Sequence, residues 1–234
     1  MNPSGMPLPP GPPSNWIEAL SPPTRTAVRA AMILRTVEDG AEIFHQGDDR
    51  RTLFEILEGH VAIVRLSAEG EEILVALFGP GSCVGEQGTI ANRPRITAAR
   101  ACGPVRLASL DGQVFDRLRR DHPEITERML EFVAGRLRST VALMAEHHCF
   151  SLRQRLLRRL AILAHDCGHR VRGGVEIDVR LSQENLAQWV GASRQRVNGA
   201  LRRLQREGLM SWRSGKSLWV NSAAIAAELE TPSA

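Results

Sequence analysis

Residues 181–212, LSQENLAQWVGASRQRVNGALRRLQREGLMSW, read as two short helices joined by a four-residue turn. Ser182 is placed to cap the first helix with Glu184 in its opening turn, and Leu186 and Val190 fall four apart as an apolar stripe. Gly191 ends that helix, and Ser193 stands where the next would be capped. In the second helix Val197, Ala200, Leu201 and Leu204 share one face at 3.6-residue spacing. At about 100° per residue, Arg194, Gln195, Asn198, Gly199 and Arg202 share the opposite arc, all polar or minimal in size. Such a helix laid in a major groove meets base edges with its N-terminal side chains. Arginine pairs bidentately with guanine and glutamine with adenine, which makes Arg194 and Gln195 the expected base readers. A solvated face on an ordinary helical hairpin shows the same arc, so the helix pair alone does not decide between the two.

Its surroundings weigh toward nucleic acid. Gly208 closes the second helix, and residues 209–213 and 217–221 read as two short strands joined through Ser214, Gly215 and Lys216, which makes a winged helix. Arg213 and Lys216, the only lysine in the chain, stand at the wing tip and suit phosphate contacts that position without specifying. The net charge of +4 is unevenly spread. Residues 1–149 hold 16 arginines against 19 acids, whereas residues 150–234 hold 13 arginines and the lysine against 7 acids. The basic half is the half with the reader helix, as a polyanion partner requires.

A chain of 234 residues that is 43% hydrophobic has enough apolar surface for two domains with real cores. Cys83, Cys102, Cys149 and Cys167 lie far apart with no CxxC, so a reducing cytoplasm is expected. No apolar run approaches 18 residues, and no basic segment precedes an apolar one at the N-terminus, so neither a membrane span nor a signal peptide is indicated. Residues 1–14 hold six of the thirteen prolines and are expected to form a disordered leader. Trp16, Ile17 and Leu20, then residues 24–31, suggest one or two short helices leading into a strand over 32–37. Residues 38–110 change texture to short β-prone runs punctuated by Gly and Asp. Strands are expected near 42–45, 52–58, 60–66, 72–78, 82–85, 97–101 and 105–110, the pattern of an antiparallel sandwich, roll or barrel.

Residues 111–119 read as a connecting helix, after which Pro123 or Glu124 opens a longer one reaching about residue 148. Leu130, Val133, Leu137, Thr140, Met144 and His147 alternate in steps of three and four, the seam of a parallel two-stranded coil. Ser151 is expected to cap a helix over 152–166, with Leu156, Leu160 and Leu163 inward and Arg153, Arg155, Arg158 and Arg159 outward; a hinge falls near Cys149 and Phe150. His165, Cys167 and His169 are metal-ligand types, but a helix end at Gly168 explains them better than a metal site, because no second motif closes a tetrahedron. His147 and His148 read as packing or surface residues rather than haem or metal ligands.

GAEIFHQGDDRRTLFEILEGHVAIV (residues 40–64), PGSCVGEQGTIANRPR (80–95) and SRQRVNGALRRL (193–204) together resemble the Crp/Fnr family of bacterial transcription regulators, over about residues 30–221. The resemblance implies an α+β chain. It places an antiparallel β-roll of the cyclic-nucleotide-binding type over residues 15–122, a dimerisation helix over 123–149 and a winged helix-turn-helix over 150–234. It further implies a cytoplasmic homodimer on a pseudo-palindromic duplex DNA operator, working with RNA polymerase and with no membrane partner. No nucleophile motif, P-loop or paired acid and base outside the cassette suggests an enzyme.

Within the roll, Gly85, Glu86 and Arg95 resemble the family's phosphate-binding cassette. A bare glycine amide lets backbone donors approach a phosphodiester, a guanidinium matches its charge, and Glu86 accepts a ribose hydroxyl. Alternatively, Glu86 and Arg95 pair with each other. Where cyclic-AMP-binding members carry Ser then Ala after the arginine, this chain has Ile96 then Thr97; the first loses a hydroxyl, and Thr97 replaces it only if the turn shifts register. The resemblance also gives Thr140 a contact to the nucleotide base across the dimer, while Val141 stands where the best-known member has a serine. The implied DNA-contacting set is Ser193, Arg194, Gln195, Arg196, Asn198, Arg202, Arg213 and Lys216. Cyclic AMP is the first expected effector. A haem or redox sensor, or a ligand-independent regulator with a vestigial cassette, is the alternative, although the lack of any cysteine before Cys83 argues against an iron–sulfur version.

Overall fold

A computed structural model describes residues 15–68, 70–178, 182–213 and 217–230, the side chains of His147 and His148 excepted. Two compact units meet in sequence between Arg138 and Ser139. The first holds α1 (Pro22–Ala30), β1 (Ile33–Val37), β2 (Glu42–Phe44), β3 (Thr52–Leu66), β4 (Glu72–Phe78), β5 (Cys83–Val84), α2 (Glu86–Ala91), β6 (Ala98–Asp111) and α3 (Gly112–Asp121). The helix α4 (Glu124–Cys149) runs across the division.

The strands form one antiparallel sheet in the order β1-β6-β3-β4, with β2 on β6 and β5 on β3. Two pairs of expected strands are single long ones. Gly59 does not end a strand; it bends β3, at φ +80°, with register shifts against β6 on either side of Glu58. A Cβ there would lie 2.3 Å from the Pro104 carbonyl oxygen, so the two strands kink together through a position only glycine can occupy. Residues 86–91 of the cassette, where no helix was expected, wind into α2.

Phe44, Phe54, Ile56, Val61, Phe78, Val84 and Leu107 fill the inside of the roll. A second cluster, Trp16, Ile17, Val28, Leu53, Leu110, Phe115, Ile125 and Phe132, fastens the helices to it, with Trp16 edge-on to Phe115 at 5.9 Å. Each such fully buried side chain stabilises the unit by about 1.5–3 kcal/mol.

The second unit contains α5 (Leu152–Cys167), β7 (Gly168–Val171), β8 (Gly174–Ile177), α6 (Gln183–Val190), α7 (Arg194–Arg206), β9 (Met210–Trp212), β10 (Leu218–Val220) and α8 (Ser222–Glu230). Its sheet runs β7-β8-β10-β9, all antiparallel. The β7–β8 hairpin and α8 went unread in the sequence: the chain passes from α5 through extended Gly168 straight into β7, turning at Gly173, φ +82°. Ser151 caps α5, its hydroxyl accepting from the Gln154 amide at 3.3 Å in a reciprocal capping box.

The outward basic face expected on α5 is not there. Arg158 and Arg159 are buried, both against the fully buried carboxylate of Glu146 near the end of α4. Their acid lies on another helix, and for that reason periodicity within α5 could not reveal them. Arg153 pairs with Glu207 and Glu228, each at 2.6 Å, and Arg155 donates to the carbonyls of Phe150 and Val190. Among the described residues no helix is long and apolar enough to cross a membrane.

Candidate nucleic-acid interface and effector cassette

The first helix of the pair, α6, begins at Ser182, whose hydroxyl accepts from the Asn185 amide at 3.0 Å while the Ser182 amide donates back to the Asn185 side chain. Gly191 closes it in the left-handed region, φ 62°. Ser193 begins α7 at the N-cap position, but its hydroxyl makes no capping bond and the residue is exposed. Val197, Leu201 and Leu204 are buried, so the opposite arc faces outward. Arg194, Gln195, Arg196, Gly199 and Arg202 are exposed and Asn198 is half-buried. A Cβ added at Gly199 meets nothing within 4 Å, so no packing within the chain demands a glycine there. Arg194 Nε lies 3.8 Å from Glu184 Oε2.

In the wing, β9 and β10 pair through Trp212↔Leu218 and Met210↔Val220. Arg213 is exposed, with its guanidinium 5.6 Å from the Trp219 ring centroid and 3.5 Å from Glu176, which also accepts from Ser217 Oγ at 2.6 Å. Ser214, Gly215 and Lys216 lie outside the described residues.

Along α4, Leu130, Leu137, Val141 and Met144 are 71, 64, 57 and 67% exposed, and Val133 is 36% exposed. Thr140 is exposed beside them. Phe132 and Arg136 occupy the other face. Arg136 went unread in the sequence, where only the seam was followed; its i, i+4 pairing with buried Phe132 was the available signal. Arg136 Nη1 donates to Glu86 Oε1 at 2.9 Å and Nη2 to the Cys83 carbonyl at 2.5 Å, with the guanidinium 4.5 Å from the Phe78 ring centroid and 4.6 Å from that of Phe132.

At the cassette, Gly85 has φ +92°, and a Cβ would lie 2.7 Å from the Thr52 carbonyl oxygen, so no larger residue fits. Glu86 is buried and held by Arg136, not by Arg95, which removes the alternative pairing. Arg95 is 5% exposed and lies 4.0 Å from the Phe44 ring centroid. It donates through Nη2 to the carbonyls of Thr52 at 2.8 Å and Arg50 at 3.1 Å, and through Nη1 to that of Gly85 at 3.3 Å. Its Nε is buried without a partner, and burial pushes the guanidinium below its ordinary pKa. Ile96 is 60% exposed and Thr97 half-buried. Burial pushes the Cys83 thiol far up, which leaves it unreactive. His165 meets Asp166 at 2.7 Å and His169 meets Asp178 at 3.3 Å; no group of three metal-ligand side chains converges among the described residues.

A sheet-built sensor unit followed by a helix-turn-helix with a wing defines a DNA-binding transcription regulator with an effector-binding domain, not an enzyme. Residues 34–122 match the cyclic nucleotide-binding domain and residues 154–224 the Crp-like helix-turn-helix domain. The chain is 32% identical over 184 residues to the CRP-like cAMP-activated global transcriptional regulator of Mycobacterium tuberculosis, covering 79% of this chain and 82% of that one. It is 29% identical over 192 residues to the global nitrogen regulator of a Synechocystis strain, covering 81% and 85%. Among solved structures, FixK2 from Bradyrhizobium japonicum shares the fold at TM-score 0.74 and 15% identity, over 87% of this chain and 99% of that one. A CRP-family transcriptional regulator from Thermus thermophilus matches at TM-score 0.68 and 26% identity, over 84% and 97%. The chain belongs to the Crp/Fnr family of transcription regulators.

Proposed function

We propose that the chain works in the cytoplasm as a homodimer on a pseudo-palindromic operator, with a cyclic nucleotide, cyclic AMP foremost, as the effector of its sensor domain. Arg95 carries the effector reading. It is a buried guanidinium whose hydrogen bonds go only to backbone carbonyls and whose Nε has no partner, so a phosphodiester would supply the contacting anion that the nearby carboxylates of Asp48 and Glu86 do not. The residues fit that group: Gly85 allows close backbone approach, and Glu86, oriented by Arg136, presents a carboxylate to a ribose hydroxyl. A relative at 32% identity is described as cAMP-activated, which supports the same choice. Bound nucleotide supplies the anion and sugar; this chain's residues hold and orient them.

The exposed apolar stripe of α4 supports pairing with a second copy, because a seam of Leu, Val and Met at coiled-coil spacing is costly to leave in water. The family resemblance gives Thr140, exposed on that stripe, a contact to the nucleotide base across the pair. Arg194 and Gln195 read bases. Arg196, Arg202, Arg213 and Lys216 hold the backbone in register, Ser193 and Asn198 complete the DNA-contacting set, and RNA polymerase is the downstream partner.

Ile96, exposed where a hydroxyl would reach the phosphate, favours a second reading in which the effector differs from cyclic AMP or the cassette is vestigial. Calorimetric titration of cyclic AMP and cyclic GMP separates the two. Saturable cyclic AMP binding supports the first; no heat and no thermal shift with either nucleotide supports the second. A Soret band in the purified protein would replace both with a haem sensor.

A further inference from the structure

We infer that Glu176, on β8 beside the wing, is a positioning residue for DNA binding: it fixes the base of the wing and aims Arg213 at the duplex backbone. The inference rests on the reading of Arg213 as a phosphate contact.

Strand register brings the group together. Glu176 pairs with Trp219 and Trp219 with Ser211, so these three share one face of the sheet, while Ile177, Leu218, Val220 and Met210 are buried on the other. Arg213 follows Ser211 by two residues and Ser217 precedes Trp219 by two, which carries the same face onto both legs of the wing. The Arg213 amide closes the legs by donating to the Ser217 carbonyl at 3.0 Å. Trp219 lies across β8 at Gly174, where a Cβ would come within 2.8 Å of its Nε1.

The Glu176 carboxylate spans the two legs. Its Oε1 accepts from the buried Ser217 hydroxyl at 2.6 Å, and its Oε2 lies 3.5 Å from Arg213 Nη1. An ion pair that long at an exposed arginine adds little to stability, so its use is orientation. It holds the guanidinium 5.6 Å from the Trp219 ring centroid, with the remaining guanidinium N–H groups unbonded among the described residues. A guanidinium ordered in advance loses less side-chain freedom when a phosphate takes those donors.

Glu176→Asp keeps the charge and withdraws the carboxylate by one methylene, so a change in binding is not relief of repulsion. Wild type, Glu176→Asp, Arg213→Ala and the double variant are titrated against a labelled duplex of scrambled sequence, by fluorescence anisotropy from about 50 to 200 mM salt. Glu176→Asp alone should weaken binding about threefold or more, and should change nothing once Arg213 is alanine. Arg213→Ala should lower the salt slope by about one. Equal losses from Glu176→Asp in both backgrounds, or no loss in either, overturn the inference, while a lowered slope still leaves Arg213 on phosphate. A slope unchanged in Arg213→Ala overturns the phosphate reading and the inference with it.

Discussion

Glu146 Oε2 lies 2.9 Å from Arg159 Nη1, with the carboxylate fully buried and the guanidinium nearly so; Glu146 Oε1 holds Arg158 Nε at 2.8 Å. Arg158 rests 4.6 Å from the Phe150 ring centroid and Arg159 5.4 Å from that of Trp189. One acid thus ties the end of α4 to α5. Glu146→Ala takes the carboxylate away from two buried guanidiniums and should cost about 3–5 kcal/mol by denaturant unfolding. A loss below about 1 kcal/mol would show that water reaches the pair.

Arg136 fixes the carboxylate that faces the proposed ribose. Arg136→Ala should weaken cyclic AMP binding about tenfold or more, because Glu86 loses its charge-assisted partner. Unchanged affinity in a folded variant would show that Glu86 needs no positioning.

The Glu124 carboxylate accepts from the Ser21 hydroxyl at 2.5 Å, the Thr24 hydroxyl, and the Ser21 amide at 3.1 Å. Those hydrogen bonds hold its pKa down to about 2 from an ordinary 4.5. A depressed acid stabilises the fold above its unfolded value, and that contribution fades as pH falls from about 4.5 to 2. Melting temperatures across this window should fall less steeply in Glu124→Gln than in the wild type; parallel curves would remove Glu124 from the acid response.

At Gly199 the outer face of α7 is bare, where the family resemblance implies a second base-reading arginine. Gly199→Ala should be tolerated and raise stability by about 0.5–1 kcal/mol, since mid-helix glycine is costly and the space is open. Selection from a random duplex library should return an operator that differs from the family's usual half-site at that position, with half-sites about 34–36 Å apart. Recovery of the usual half-site would contradict this.

Much of this was legible in the chain because it depends on local spacing. The inward Val197, Leu201 and Leu204, the Ser182 and Ser151 caps, and the exposed apolar stripe from Leu130 to Met144 each follow from a period of 3.6 or 3.5 residues or from a residue type at a helix start. What escaped depends on partners distant in sequence. Arg158 and Arg159 look like a solvated face until Glu146 is placed beside them, and Arg136 looks like a surface residue until Glu86 meets it. Gly59 punctuates the sequence as a turn would, yet it bends a continuous strand because Pro104 crowds it from β6. The α2 helix was hidden by its brevity, six residues between two turns in the left-handed region.

The central claim is that the exposed arc of α7 reads bases, and Arg194 tests it most directly. Wild type and Arg194→Ala should be compared on the selected operator and on a scrambled duplex of equal length, at matched salt. The account predicts a loss of about 1–3 kcal/mol on the operator, relaxed preference at one base pair, and little change on the scrambled duplex. An equal loss on both duplexes would show that Arg194 touches only phosphate and would contradict it.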